Sequence, residues 1–432
     1  MPDSATLGDS PSYMGLGATT GRLMVSAGRV AVANGVATVL LAAIAVITAR
    51  ALGPNGRGVL VLIATAVTFV MLVTSVGVPI SARVMLGRGD RKAIIGQYLA
   101  LGFVLSLAQV VLTMILVRLL LIHSGVQVTL WEDVLIGLYG GAYMGAYLLV
   151  HGLFGLGLNG HAASVQVAGA LMQLLPVTGL AFAGVGSPWP YVGAMVVGAL
   201  GQVIVSLAIL ATTRFLSWPS FSAAGWLTLL TRGIPAIGLS LGQAGTLRID
   251  RILIGLFLTA SPVGIYSVAA TCTEVVWLVP SALSQVLFQK LASKSVDQRT
   301  ANRARVASLA CGLATAVVLF AIAPLVVNVL VGARFAEAVL PLRILLVAAV
   351  LLSSYQLDAY ALAAHGRIGL AATGTLVGFG AVLFADLLLI PAYGIVGAAW
   401  ASVIAYGVMA ILVRILVRRG TKPAHDTAMS GT

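Results

Sequence analysis

Arg248, Asp250 and Arg251 lie in one apolar run, and Glu274 lies in the next. Both runs are long enough to cross a bilayer, where an ionisable side chain costs about 2.5–3.5 kcal/mol at the centre. The turn near Ala260 to Pro262 serves as a ruler. Arg248 stands about twelve residues before it and Glu274 about twelve after it, so each lies roughly 18 Å deep at 1.5 Å per helical residue. Arg248 and Arg251, spaced i,i+3, share a helix face. Asp250 is turned away from that face. Two readings are open. In one, the acids neutralise the arginines in a closed salt-bridge cluster between neighbouring helices. In the other, the cluster lines a hydrated cavity, the arginines grip an anionic head group, and the acids serve as counter-ions or proton sites. A guanidinium suits phosphate through its fork of donors and its permanent charge.

Further polar residues carry weaker signals. Arg83 stands at the mouth of the second apolar run and fits either a lipid phosphate or a substrate. Asp358 sits near one end of the tenth run beside Tyr355, Gln356 and Tyr360. It reads as a water-reached helix-end acid or, with Tyr355, as a cavity-lining group. Asp386, before Pro391, is expected to snorkel to the membrane surface, as is Arg343. His151 and His161 read as isolated histidines without catalytic partners. Cys272 and Cys311 fall inside apolar runs and read as spectators, neither a disulfide framework nor a metal site. Gly77-Val78-Pro79 and Pro280 are expected to kink their helices. No Gly-rich loop ending in Lys-Ser/Thr, no His-Glu-x-x-His and no Ser-His-Asp set is present, so the chain does not read as an enzyme.

The composition dictates how these groups are positioned. The chain is 60% hydrophobic and 9% charged, with a mean hydropathy of +1.06. Soluble domains carry about 25% charged residues. A chain this apolar needs lipid to cover its surface, and so reads as an all-α integral membrane protein. The 49 glycines suit close helix packing in lipid. The net charge of +13 does not indicate nucleic acid, because the basic residues sit in short clusters between apolar runs.

Twelve runs reach the length of a spanning helix. They lie near Val30–Thr48, Val59–Val78, Ile94–Leu121, Val134–Leu153, Ala163–Ala183 and Tyr191–Thr212, then near Ile234–Leu258, Val263–Phe288, Val306–Val331, Val339–Ala364, Ile368–Leu389 and Gly394–Val417. With the N-terminus placed in the cytoplasm, 18 of the 25 Lys and Arg fall inside and four (Arg50, Arg57, Arg118, Arg334) outside. That split predicts an even number of spans with both termini cytoplasmic. Residues 1–21 and 420–432 are expected to be disordered cytoplasmic tails.

An internal repeat groups the spans. Gly58 and Gly264, each following a Pro-containing turn, are 206 residues apart. Gly160 and Gly366 show the same offset, and Tyr191-Val192-Gly193-Ala194 pairs with Ile395-Val396-Gly397-Ala398 at about 204. The repeat predicts two six-helix lobes, 22–213 and 227–419, joined by a linker at 214–226. This is the build of a transporter with its site between the lobes.

Four stretches carry a family likeness. They are Ala49-Arg50-Ala51-Leu52-Gly53-Pro54 leading to Gly58; Arg248-Ile249-Asp250-Arg251-Ile252-Leu253-Ile254-Gly255 running into Val263-Gly264-Ile265-Tyr266; Phe335-Ala336-Glu337-Ala338 with Pro341-Leu342-Arg343; and Tyr393-Gly394-Ile395-Val396-Gly397-Ala398-Ala399-Trp400. In these the chain resembles the polysaccharide-biosynthesis, O-antigen-type flippase branch of the multidrug/oligosaccharidyl-lipid/polysaccharide (MOP) exporter superfamily. The resemblance implies a V-shaped pair of six-helix bundles around a central cationic cavity that works by alternating access. It also implies a polyprenyl-diphosphate-linked glycan as cargo, moved from the inner to the outer leaflet of a bacterial plasma membrane. Glycosyltransferases and a glycan polymerase of the same pathway are implied as partners. Asp250 and its neighbours match the family's seventh-helix motif. Lipid II flippases of the superfamily usually have fourteen spans, against twelve here.

The expected cargo-binding set is therefore Arg248, Asp250, Arg251, Glu274, Arg83, Asp358 and Tyr355, with a proton or sodium ion as the coupling ion and no other cofactor. A cation-coupled drug exporter is the first alternative and has the same span count. A membrane scaffold for cell-envelope synthesis would call for longer partner-binding tails. A membrane-embedded glycosyltransferase would call for a large outside loop.

Overall fold

A computed structural model describes residues 15–87, 91–292, 298–364 and 368–420. Of the expected tails, 1–21 and 420–432, the parts 1–14 and 421–432 lie outside the described residues, as does the loop His365-Gly366-Arg367, whereas residues 15–21 are not an irregular tail but the first turns of the first helix. Among those described, every regular element is helical. The α-helices are α1 (Gly15–Thr74), α2 (Val78–Leu86), α3 (Arg91–His123), α4 (Leu130–Gly155), α5 (Asn159–Phe182), α6 (Trp189–Thr212), α7 (Ala223–Phe257), α8 (Ala260–Ala292), α9 (Gln298–Leu330), α10 (Val339–Ala364) and α11 (Ile368–Gly420). A 3₁₀ turn, Ala333–Ala338, joins α9 to α10.

The two longest helices are each two spans. α1 breaks at Gly53 (φ 67, ψ −174), immediately before Pro54. α11 breaks at Gly394 (φ 59, ψ −138), just past Pro391. Glycine takes these positive φ values without a Cβ clash, and proline withholds the N–H that would continue the ladder. α2 continues the second limb of α1 past Val76 and Gly77, both at positive φ, as the Gly-Val-Pro sequence predicts. Among the described residues, two limbs from α1, two from α11 and one helix from each of α3 to α10 make twelve long helical segments in an all-α fold, and eight helices, α1 and α11 among them, are long and apolar enough to cross a membrane. α7 begins at Ala223, inside the expected linker, so the connection from α6 is short.

Side chains sort by what covers them. Along α3, Phe103, Leu107, Val111, Ile115, Leu119 and Ile122 form an exposed apolar stripe, whereas Gln109, Thr113 and Val117 are fully buried. Lipid is as apolar as a core, so the outward stripe is at no disadvantage in a bilayer. The buried amide of Gln109 donates to the Val67 carbonyl at 3.2 Å, so that donor is not left bare. α4 begins with a capping box, in which Glu132 accepts from the Thr129 N–H at 2.6 Å. One residue on, Asp133 pairs with Arg118 of α3.

Candidate functional site

α7 carries the charged cluster. Its N-terminus is capped by Ser222, which accepts from the Gly225 N–H at 3.2 Å. Along α7, Arg248 lies within electrostatic reach of Tyr139 and Tyr143 of α4, in the other half of the chain, and of Arg251 and Glu274. Arg248 is exposed although protein surrounds it, as expected of a side chain that lines an internal opening. Arg251 and Glu274 are half-buried. Arg57 joins them from the second limb of α1, within electrostatic reach of both Arg251 and Glu274. Its Nη1 donates to Thr48 Oγ1 at 2.9 Å. It borders a cleft shared with Ala45 and Val46 of α1 and Val268, Thr271 and Cys272 of α8.

The chain order assigned Arg57 to an outside loop. The break at Gly53 is too tight for such a loop, and the helix restarting at Pro54 turns Arg57 inward instead. Proximity to Pro54 was the available signal, because a helix restarting there fixes which face Arg57 takes.

The closed salt-bridge arrangement is not formed. The ion pairs among the described residues join Arg118 to Asp133, and Arg305 and Arg414 to Asp358. None involves Arg57, Arg248 or Arg251. The buried Nε atoms of Arg57 and Arg251 lack any hydrogen-bond partner. A buried charged donor without an acceptor is costly, and the one carboxylate within electrostatic reach of both Arg57 and Arg248, apart from Asp250 beside Arg248, is that of Glu274, which forms no ion pair among the described residues.

Asp250 faces the opposite way, into the packed half formed by α7 to α11. Tyr266 Oη donates to its Oδ2 at 2.6 Å, and the Arg251 N–H donates to its Oδ1 at 2.7 Å. Asp386 of α11 lies within electrostatic reach and is completely buried, and neither of its carboxylate oxygens has a partner. The expectation that Asp386 snorkels is therefore wrong. It sits about two turns before the Gly394 break, on the face of α11 that packs inward, where its short side chain cannot reach the surface. Ser402 lies within reach of the Tyr266 hydroxyl, and Tyr406 donates to the Thr246 carbonyl at 3.2 Å beside the pair. Two buried carboxylates within electrostatic reach of each other disfavour both being charged, which a shared proton or a cation would relieve. Among the described residues, no group of three or more His, Cys, Asp or Glu is disposed to hold a metal ion.

The remaining expected site residues are dispersed. Asp358 is buried, with Arg305 at 2.9 Å and Arg414 at 3.3 Å. It bridges α9, α10 and α11 rather than resting in water at a helix end. Tyr355 is buried and shares a 2.6 Å hydrogen bond with Thr375. Arg83 lies toward the other end of the molecule, its guanidinium 4.7 Å from the centroid of the Phe154 ring. Arg343 stacks similarly on Phe320 and donates to that residue's carbonyl at 3.3 Å.

Comparisons with known proteins follow this geometry. Residues 161–340 match the family described as "Polysaccharide biosynthesis protein". No protein of curated function matches the chain. An inward-facing multidrug resistance transporter of the MATE family has the same fold, with TM-score 0.68 and 14% identity, over 89% of this chain and 94% of that one. The lipid II flippase MurJ, in an inward closed conformation, gives TM-score 0.67 and 13% identity, over 90% of this chain and 87% of that one. A MOP superfamily transporter from Pyrococcus furiosus gives TM-score 0.55 and 16% identity, over 91% and 94%. The chain has the MOP fold. The family match bears out, over its own residues, the resemblance read from the sequence. α1 packs against α7 and α8, and Arg57 of α1 comes within electrostatic reach of Arg251 of α7 and Glu274 of α8 there. The acid pair lies behind α7, inside the C-terminal lobe.

Proposed function

We propose that the protein is a flippase for a polyprenyl-diphosphate-linked oligosaccharide in a bacterial plasma membrane, with both termini cytoplasmic. The observation that carries this reading is the convergence of Arg57, Arg248 and Arg251 without an ion-paired carboxylate, two of them with a buried, unpartnered Nε. A diphosphate supplies the missing acceptors and matches the guanidinium fork.

The seam between α1 and α8 suits a lipid tail. α1 meets α8 through Ala45, Val46, Thr271 and Cys272, while Val32, Val36 and Val39 of α1 and Val275 of α8 are exposed toward the other end. The polyprenyl chain remains in the bilayer along that opening while the head group occupies the cavity. Asp250 and Asp386 form the coupling site for a proton or sodium ion. Asp250 reports its state to the cavity through the Arg251 N–H. Asp358 and Tyr355 serve the packing of the C-terminal lobe.

The test is to deplete the protein in its host and follow lipid-linked oligosaccharides by mass spectrometry. Accumulation of one polyprenyl-diphosphate oligosaccharide with loss of a surface glycan supports the reading. An unchanged pool in a strain cleared of redundant flippases refutes it. The acid pair favours one other reading, a cation-coupled exporter. That reading predicts gradient-driven efflux of hydrophobic cations and indifference to Arg57 and Arg251.

A further inference from the structure

α4 carries aromatic residues at a four-residue interval: Tyr139, Tyr143, Tyr147 and His151, followed by Phe154. Residues spaced i,i+4 stack along one face of a helix. In the structure the rings meet in two groups, tilted or edge-on. The Tyr139 and Tyr143 ring centroids are 5.7 Å apart, Tyr147 and His151 4.2 Å, and His151 and Phe154 6.3 Å. From Tyr139 to His151 the row covers about 18 Å of helix. Tyr143, Tyr147, His151 and Phe154 are half-exposed on a helix whose intervening residues Ala142, Met144, Ala146 and Leu148 are buried. Tyr139 and Tyr143 lie within electrostatic reach of Arg248 in the opposite lobe, so this face of α4 looks onto the inter-lobe space. The far end of the row is closed by Arg83 over Phe154, with Tyr147 also in its reach.

A purely structural aromatic cluster satisfies its polar tips within the protein, as buried Tyr98 does by donating to the Leu148 carbonyl at 2.7 Å. Among the described residues, the Tyr143 and Tyr147 hydroxyls have no such partner. His151 is held in place by a 3.0 Å hydrogen bond between Nδ1 and the Tyr147 carbonyl oxygen. The result is two aromatic groups in line on one helix face, Tyr139–Tyr143 near Arg248 and Tyr147–His151–Phe154 against Arg83, with the Tyr143 and Tyr147 hydroxyls between them.

We infer that this row is a glycan-binding track, on which pyranose rings stack as the sugar portion of the cargo passes between the Arg83 mouth and the Arg248 cavity. The inference rests on the flippase reading and names what its cavity recognises besides phosphate. The C–H-bearing face of a pyranose is weakly positive and meets the negative face of an aromatic ring. Tyrosine hydroxyls reach the sugar hydroxyls at the rim. Stacking of this kind tolerates changes of sugar, and the spaced rings allow stepwise transfer along the row.

The test uses the full chain in lipid nanodiscs with two probes: undecaprenyl diphosphate, and undecaprenyl diphosphate bearing a β-linked glucose disaccharide. The ratio of their affinities isolates the sugar's contribution. In the native chain the glycosylated lipid should bind about ten-fold tighter, the scale expected of one or two stacking contacts. Tyr147→Leu should bring the ratio close to one, while Tyr147→Phe should retain most of it. A native ratio near one, or a ratio unmoved by Tyr147→Leu in a chain that still folds, overturns the track. Failure to bind either lipid removes the flippase reading, and maltotetraose then decides the track. Saturable binding lost in Tyr147→Leu keeps it, and no binding overturns it.

Discussion

Gly58 and Gly264 stand against each other across the seam between α1 and α8, each on the other helix's backbone. A Cβ built on Gly58 would lie 1.7 Å from the Ala260 carbonyl oxygen, and one on Gly264 would lie 1.9 Å from that of Pro54. The contact is symmetric, because each glycine meets the carbonyl four residues before its counterpart. The two residues related by the 206-residue repeat thus mark a local two-fold axis between the lobes. The same end of the seam is tied by Arg50, whose Nε donates to the Leu330 carbonyl at 2.6 Å, and by Arg334, which donates to the Arg50 carbonyl at 2.9 Å.

Gly58→Ala should therefore force the helices apart at this point. Overpacking against backbone costs about 1–3 kcal/mol. Thermal unfolding in detergent should show a clear drop in Tm. Gly193→Ala, where a new Cβ meets nothing within 4 Å, should leave Tm unchanged or slightly raised. Equal Tm values for the two variants would show that the seam is looser than it looks.

Reversing charge at Arg251 or Arg57 should abolish transport. Each places an acid where a diphosphate needs a donor. Arg57→Lys should retain part of the activity, since the charge survives but the fork does not. A flipping assay on reconstituted protein measures this, with a loss of at least ten-fold expected from one charge-assisted contact. Full activity in Arg251→Glu would remove the anion site from the mechanism.

Asp386→Asn keeps the side-chain shape and removes the unpartnered buried carboxylate. Folding should not suffer, because an amide costs less to bury than an unpaired charge. Transport should lose its response to an imposed proton or sodium gradient while cargo binding persists. Binding isotherms beside gradient-driven flipping in proteoliposomes separate the two. A variant that still follows the gradient would place the coupling site elsewhere.

Asp358→Asn should behave in the opposite sense. It leaves Arg305 and Arg414 without their carboxylate. The expected loss is about 2–3 kcal/mol of stability, below that of a fully buried pair because both arginines keep some contact with solvent. Affinity for undecaprenyl diphosphate, measured on the folded fraction, should hold. A selective loss of affinity with unchanged Tm would return Asp358 to the cargo site.

The sequence by itself determined the membrane class, the twelve long helical segments and the repeat. These depend on local quantities: run length against bilayer thickness, and the spacing of Gly and Pro, whose backbone preferences need no neighbours. It also determined that Arg248 and Arg251 share a face, because helical periodicity is local. Which groups meet was decided only by the tertiary structure. Asp250 meets Tyr266 and comes within reach of Asp386, Arg57 turns inward toward Arg251, and Asp358 joins two arginines from other helices. Depth along a helix follows from residue count. Which neighbour a side chain faces depends on how each helix is rotated against the others, and packing across the whole bundle sets that rotation.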